Sequence, residues 1–234
     1  MRLHVFLAKA GIASRRKSEQ YISEGLVSVN GKRVTGMGVQ IDPQKDKVLF
    51  NGKPVQIENE IVCIALYKPR GVVTTMQRGK ETGPVIQDFL EVPVRVFPVG
   101  RLDKDSEGLI ILTNDGEIAL KLGHPRYEHE KEYRVAVDKT VTDAHLKRLS
   151  RPFFIDGYRT RPAQVSKIDD KEFTIVLKEG RKRQIRRMCE MAGLQVVRLM
   201  RTRIGSVAIG NMRPGQSKTL SAKTVKDMLH DTNS

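Results

Sequence analysis

Gly100-Arg101-Leu102-Asp103-Lys104-Asp105-Ser106-Glu107-Gly108 runs straight into the apolar Leu109-Ile110-Ile111-Leu112. Three acids fall within five positions, in a chain of 234 residues that sets 42 Lys and Arg against 27 Asp and Glu, a formal charge of +15. A local excess of acid works against attraction to a polyanion, so it needs its own reason. Calcium is one, because Asp103, Asp105 and Gly108 match the start of an Asp-x-Asp-x-x-Gly loop. The closing position of such a loop should be a bidentate Glu, and here it is Asn114. Val96-Phe97-Pro98-Val99-Gly100 also cannot form the helix that enters it. A magnesium-dependent nuclease or a glycosidase pair would use neighbouring carboxylates too. Spacings of two in an extended segment put all three acids on one face. For Asp105 and Glu107, pairing with Arg101, Lys104 and nearby cations is the simpler account.

The basic excess, with a sequence pI near 10.0, suits a polyanionic partner, since Lys and Arg release counterions when they neutralise phosphates. A membrane surface is disfavoured, because no long apolar stretch, signal-like segment or lipidation motif is present. A hydrophobic content of 39% can fill a core, in one large domain or two unequal ones. Cys63 and Cys189 are far apart in apolar-patterned segments, which fits two buried thiols in a reducing cytoplasm. Neither they nor the five scattered His have metal-ligand spacing, so no metal is expected.

Working outward, the first sixty residues form a module of their own. Leu3, Phe6, Leu7 and Ala10 fall at helical spacing, and Gly11 stops that helix. Ser14 can cap a second helix carrying Ser18, Tyr21 and Ile22, which Gly25 ends. Val27-Ser28-Val29, Asn30-Gly31 and Lys32-Arg33-Val34 then spell a hairpin. Arg15, Arg16 and Lys17 occupy the first turn of the second helix, where the macrodipole disfavours cations. Free backbone N–H groups at that end favour phosphate contact over a merely solvated charged face.

The pattern resets around Glu58-Asn59-Glu60, and Ile61 to Tyr67 is a buried strand. Asn114 is placed to cap a helix, with Glu117 three residues on and Gly123 and Pro125 as the stop. Phe173, Ile175 and Leu177 alternate as a half-buried strand does. Ile185, Met188 and Ala192 give the apolar face of a helix that Gly193 ends, and Val196 to Met200 resumes strand. The tail after Pro214 is polar and weakly patterned. The class is α+β, with a largely antiparallel mixed sheet and flanking helices. The domains are residues 1–58 and 59–234.

Two resemblances follow from these residues. The helix, Gly11, the Ser14-capped basic helix and the Val29-Asn30-Gly31-Lys32 hairpin together look like the S4 RNA-binding domain, over roughly Met1 to Val55. That likeness implies that Arg2, Arg15, Arg16, Lys17, Lys32 and Arg33 face structured RNA. The acidic stretch, running on into Leu112-Thr113-Asn114-Asp115-Gly116, closely resembles the catalytic motif of RNA pseudouridine synthases, in the branch that carries an S4 domain and modifies ribosomal RNA. Three further segments fall in the family's order. Tyr67 to Thr75 resembles its Lys-Pro-x-Gly segment, His129 to Tyr133 its Lys-x-Tyr segment, and Glu179 to Met188 its third motif.

The resemblance implies an isomerisation. The N1–C1′ bond of uridine breaks, the base turns, and C5 joins C1′, with no redox change and no cofactor. Asp103 is then the carboxylate, as nucleophile or as base. Tyr133 stacks on the flipped uracil or helps to deprotonate C5, a base role that a phenol of ordinary pKa near 10 cannot fill unaided. Arg186 pairs with Asp103 and keeps it ionised. Arg101 fills the place the flipped nucleotide leaves, offsetting an extrusion cost of a few kcal/mol. Arg181, Lys182 and Arg183, at the start of a helix, meet RNA phosphate. Lys182-Arg183 departs from branch members that have His before the Gln, so the target uridine stays open. The expected protein is a cytoplasmic monomer acting on ribosomal RNA, more specifically the large-subunit (23S) RNA, either naked or in a ribosomal assembly intermediate. An inactive RNA-binding assembly factor is the alternative, against which intact Asp103, Tyr133 and Arg186 argue.

Overall fold

The computed structural model describes residues 1–57, 60–79 and 83–230, which fall into two compact units. Glu58 and Asn59, where the sequence resets, lie outside the described residues. The smaller unit comprises residues 1–62 with 92–96 and 114–116. It opens with α1 (Leu3–Lys9) and α2 (Arg15–Ser23), where Ser14 Oγ accepts the Lys17 N–H at 3.2 Å as a cap should. Strands β1 (Val27–Val29), β2 (Lys32–Val34), β3 (Val48–Phe50) and β4 (Lys53–Pro54) form a sheet in the order β2-β1-β3-β4. Asn30 and Gly31, at φ 51° and 79°, make the turn between β1 and β2, as Asn-Gly does in a tight hairpin. Leu3, Phe6, Leu7, Ile22, Val27 and Val48 close the core.

The larger unit is built on one sheet. Its elements are β5 (Cys63–Lys68), β6 (Phe97–Pro98), β7 (Glu107–Thr113), α3 (Gly116–Gly123), β8 (Lys131–Val137) and α4 (Asp143–Leu149). The chain continues through a short hairpin, β9 (Phe154–Ile155) and β10 (Tyr158–Arg159), then β11 (Gln164–Asp169), β12 (Glu172–Leu177) and α5 (Gln184–Met191). It finishes with β13 (Val196–Ile204), β14 (Val207–Ala208), β15 (Ser217–Thr219) and α6 (Ala222–His230). The strand order is β11-β12-β8-β13-β7-β5-β15, with β14 on β13 and β6 on β7. Within this sheet every pairing is antiparallel except β13 with β7.

Alternation sets the burial. Phe173, Ile175 and Leu177 of β12 join Val135 and Val137 of β8 and Ile185 and Met188 of α5 in one core cluster. Ala65, Leu109 and Ile111 join Ile118, Leu122, Val225 and Met228 in another. Each such fully buried apolar side chain contributes roughly 2 kcal/mol of transfer free energy.

Three local expectations change. The strand predicted from Ile61 starts at Cys63, and Ile61 is exposed. Asn114 does not cap α3; its Oδ1 accepts the Val62 N–H at 2.9 Å and its Nδ2 donates to the Glu60 carbonyl at 2.8 Å. An amide with both donor and acceptor can staple two strand-flanking segments as readily as a helix end. The polar tail carries regular structure up to His230, because Ser217–Thr219 adds a strand to β5 and α6 buries Val225 and Met228.

Candidate active site

The acidic loop is held by the Lys-Pro segment that precedes it. Lys68 is fully buried, and its Nζ donates to the carbonyls of Pro69 at 2.9 Å and Val72 at 2.7 Å. The segment so shaped clamps the loop at two points. Gly71 N–H donates to the Lys104 carbonyl at 2.7 Å. Thr74 Oγ1 donates to the Leu102 carbonyl at 2.7 Å while accepting the Leu102 N–H at 3.2 Å. Ser106 N–H then closes back on the Asp103 carbonyl at 3.1 Å.

The three acids separate. Glu107, on β7, is buried and engages Arg198, with Tyr67 Oη donating to its Oε2 at 3.1 Å. Asp105 faces Arg183 at 3.3 Å and Arg186 at 3.2 Å. Partial burial pushes the Asp105 carboxyl up, but the charges of Arg186 and Arg183 outweigh it and hold it below the usual carboxylate range. The resemblance implies a pairing of Arg186 with Asp103, whereas the ion pair goes to Asp105. The turn at Lys104 and Asp105 carries that side chain to α5, and Arg186 Nη2 also donates to the Asp105 carbonyl at 3.1 Å. Burial lowers the Arg186 pKa, and the charges of Asp105 and then Asp103 partly restore it, so Asp103 acts on Arg186 at longer range. Asp103 is half-buried, and its carboxylate enters no ion pair among the described residues.

Asp103 opens onto a cleft of about 700 Å³, ample for a nucleotide. Arg101, Tyr133, Arg181, Lys182 and Arg183 also line it, so six sequence-predicted residues meet at one place. Arg186 stands beside them through Asp105. Tyr133 lies on β8 at 8% exposure, register-paired with Arg201 of β13 and Ile175 of β12. Arg183 takes φ 53° at the start of α5, a strained setting for a non-glycine residue that clusters at functional sites. Arg181 stacks on the Tyr158 ring at 3.2 Å.

Residues that the sequence does not single out complete the walls. Buried Glu179 accepts from Gln184 Nε2 at 2.8 Å, Arg161 N–H at 3.1 Å and Tyr158 Oη at 3.2 Å, tying the β9–β10 hairpin to α5. Lys131 and Arg201 line the cleft as well. Lys131 and Glu179 fall within recognised segments, whereas no spacing points to Arg201. The remaining predicted RNA contacts, Arg2, Arg15, Arg16, Lys17, Lys32 and Arg33, are all exposed in the smaller unit, and Lys17 Nζ lies 4.9 Å from the Tyr21 ring centroid. Among the described residues no group of three His, Cys, Asp or Glu is placed to hold a metal ion.

Comparison with known proteins identifies the family. Residues 62–191 match the family model described as RNA pseudouridylate synthase, and residues 1–43 match the S4 domain. The chain is 41% identical over 231 residues to the dual-specificity RNA pseudouridine synthase RluF of Escherichia coli (strain K12), covering 98% of this chain and 78% of that one. It is 40% identical to the ribosomal large subunit pseudouridine synthase B of Bacillus subtilis (strain 168), covering 96% and 94%. A crystal structure of a pseudouridylate synthase aligns with TM-score 0.71 at 27% identity, covering 97% of this chain and 99% of that one. The chain belongs to the RNA pseudouridylate synthase family, with an S4 domain at residues 1–43, and is an RNA-modifying isomerase.

Proposed function

We propose that this enzyme isomerises uridine in ribosomal RNA, specifically the large-subunit RNA, with Asp103 as the carboxylate that opens the glycosidic bond. The observation that carries the role of Asp103 is the sorting of the acids. Asp105 and Glu107 are taken up by arginines, while Asp103 faces the cleft beside Arg101 and Tyr133. The ribosomal target rests on the printed name of the Bacillus subtilis relative and on the S4 match. Arg101 takes the stack position of the extruded nucleotide. Tyr133 packs against the base, and Arg186 with Asp105 fixes the loop that aims Asp103. Arg181, Lys182 and Arg183 bind phosphate at the cleft, and Arg2, Arg15, Arg16, Lys17, Lys32 and Arg33 bind RNA through the S4 domain. The isomerisation needs no cofactor.

The target is tested by mapping pseudouridines chemically in ribosomal RNA from cells with and without the protein. Loss of a large-subunit pseudouridine is expected. An unchanged large-subunit map, with a loss elsewhere, would overturn the assignment of target.

A further inference from the structure

Of the cations that line the cleft, Arg101, Arg181, Lys182 and Arg183 are exposed. Arg183 also shares Asp105 with Arg186, and Arg198 takes Glu107. Lys131 and Arg201 are the lining cations drawn in from the surface. Lys131 Nζ donates to the His129 carbonyl at 3.0 Å, and Arg201 Nε to the Leu109 carbonyl at 2.6 Å. Neither has a carboxylate partner among the described residues, and Arg201 Nη2, in a side chain only 3% exposed, has no partner. The two stand on neighbouring strands with Tyr133 between them in the pattern, because Tyr133 follows Lys131 by two on β8 and is register-paired with Arg201. The Arg201 guanidinium carbon lies 6.0 Å from the Tyr133 ring centroid. Burying a cation without a counter-charge is costly, and a fold tolerates it where an anion arrives during function. RNA phosphate is not that anion, since exposed Arg181, Lys182 and Arg183 occupy the surface that a backbone would touch.

The reaction itself makes an anion inside the cleft. When N1–C1′ breaks, its electron pair leaves on uracil and spreads over N1, O2 and O4. The charge is discharged when C5 bonds to C1′, C5 loses its proton and N1 gains one, so atoms and electrons balance without an oxidant or co-reactant. We propose that Lys131 and Arg201 hold the detached uracil as its anion. Lys131, half-buried, meets the ring directly, while Arg201 acts from beneath through its charge and through the seat of Tyr133. Burial, and then the Arg201 charge, lower the Lys131 pKa to about 8, which leaves the ammonium mostly protonated at neutral pH and short of a counter-ion. This inference rests on the cleft being the site of isomerisation.

Fluorine at C5 withdraws electron density and stabilises the uracil anion without help from the protein. The test is therefore single-turnover consumption of the N-glycoside in the same RNA carrying uridine or 5-fluorouridine, read by digestion to nucleosides and chromatography. Lys131→Met is expected to slow uridine consumption about 100-fold, the typical cost of removing one preorganised charge-stabilising donor. RNA affinity should stay within about twofold, and the loss on 5-fluorouridine should be at least about fivefold smaller, as differential stabilisation requires. Lys131→Arg keeps the charge and should recover most of the rate. Arg201→Gln, which removes the charge while its amide nitrogen can still donate to the Leu109 carbonyl, should follow the same substrate pattern as Lys131→Met. Equal losses on both substrates, or weakened RNA binding with an unchanged rate, would overturn the proposal. Asp103→Asn is the control for the site itself: if it still consumes uridine, the assignment of the cleft fails, whatever Lys131→Met does.

Discussion

Gly108 has φ +108°, and a Cβ built on it would stand 2.3 Å from the Arg201 carbonyl oxygen and 2.6 Å from the Arg201 nitrogen. The cause is the parallel pairing of β7 with β13, which sets Gly108 directly against Arg201. The same residue that ends the acidic stretch thus lets the Arg201 strand close on the strand that follows Asp103. Gly108→Ala must both strain the backbone and push β13 away, for a combined cost of about 3 kcal/mol or more. Denaturant unfolding measures it, and a variant as stable as the parent would contradict this account of the junction. Residue identities are legible in the sequence to different depths. Asp103, Arg101 and Tyr133 reach one cleft as the motifs imply. The partner of Arg186 is not legible, because Asp103 and Asp105 are two positions apart and only the turn between them decides which one faces α5. Arg201 is hidden for a related reason: its role comes from strand register, which brings together residues far apart in the chain.

The Lys-Pro segment shows what an element can hide. In the sequence Lys68 marks a segment that resembles a family motif but has no stated task; in the fold it is fully buried and shapes the segment that clamps Leu102 and Lys104. Burial lowers its pKa to about 8, against the pull of Asp105, Glu107 and Asp103 in the other direction. A lysine whose folded pKa lies below its unfolded value of 10.5 binds fewer protons folded than unfolded across that interval. Its penalty is therefore fully present below about pH 8 and is relieved as pH rises toward 10.5. Burial pushes the Tyr67 phenol up and the Cys189 thiol up to about 12, and these act in the opposite sense, so the parent curve alone does not isolate Lys68. Comparison with Lys68→Met does: the parent should gain stability relative to the variant as pH rises through this window, by up to about 1.4 kcal/mol for each pH step of one. Unfolding free energies with the same pH dependence in both proteins would contradict it. Elements with regular periodicity, such as α2, the β1–β2 hairpin, β12 and α5, are legible because their burial follows local spacing. Asn114 misleads because its partners, Val62 and Glu60, lie more than fifty residues away.

At the scale of the molecule, a formal charge of +15 and an S4 match at residues 1–43 accompany a larger unit whose matched stretch, residues 62–191, contains the acidic loop, Tyr133 and α5. Composition points to a polyanion but not to chemistry; the ordered motifs supply the chemistry, and the sheet gathers them onto one cleft. Charge accounts for attraction to RNA at either unit, and attraction is not catalysis, so the two properties must part under the right substitution. The central claim is that a single carboxylate, Asp103, performs the isomerisation while its acidic neighbours only position it. Purified protein incubated with ribosomal RNA in EDTA, followed by chemical mapping of pseudouridine, tests this with Asp103→Asn alongside the parent. The account predicts modification by the parent, none by the variant, and RNA affinity equal within about twofold, as expected for an uncharged isostere away from the phosphate contacts. Pseudouridine formed by Asp103→Asn at the parent's rate would contradict it.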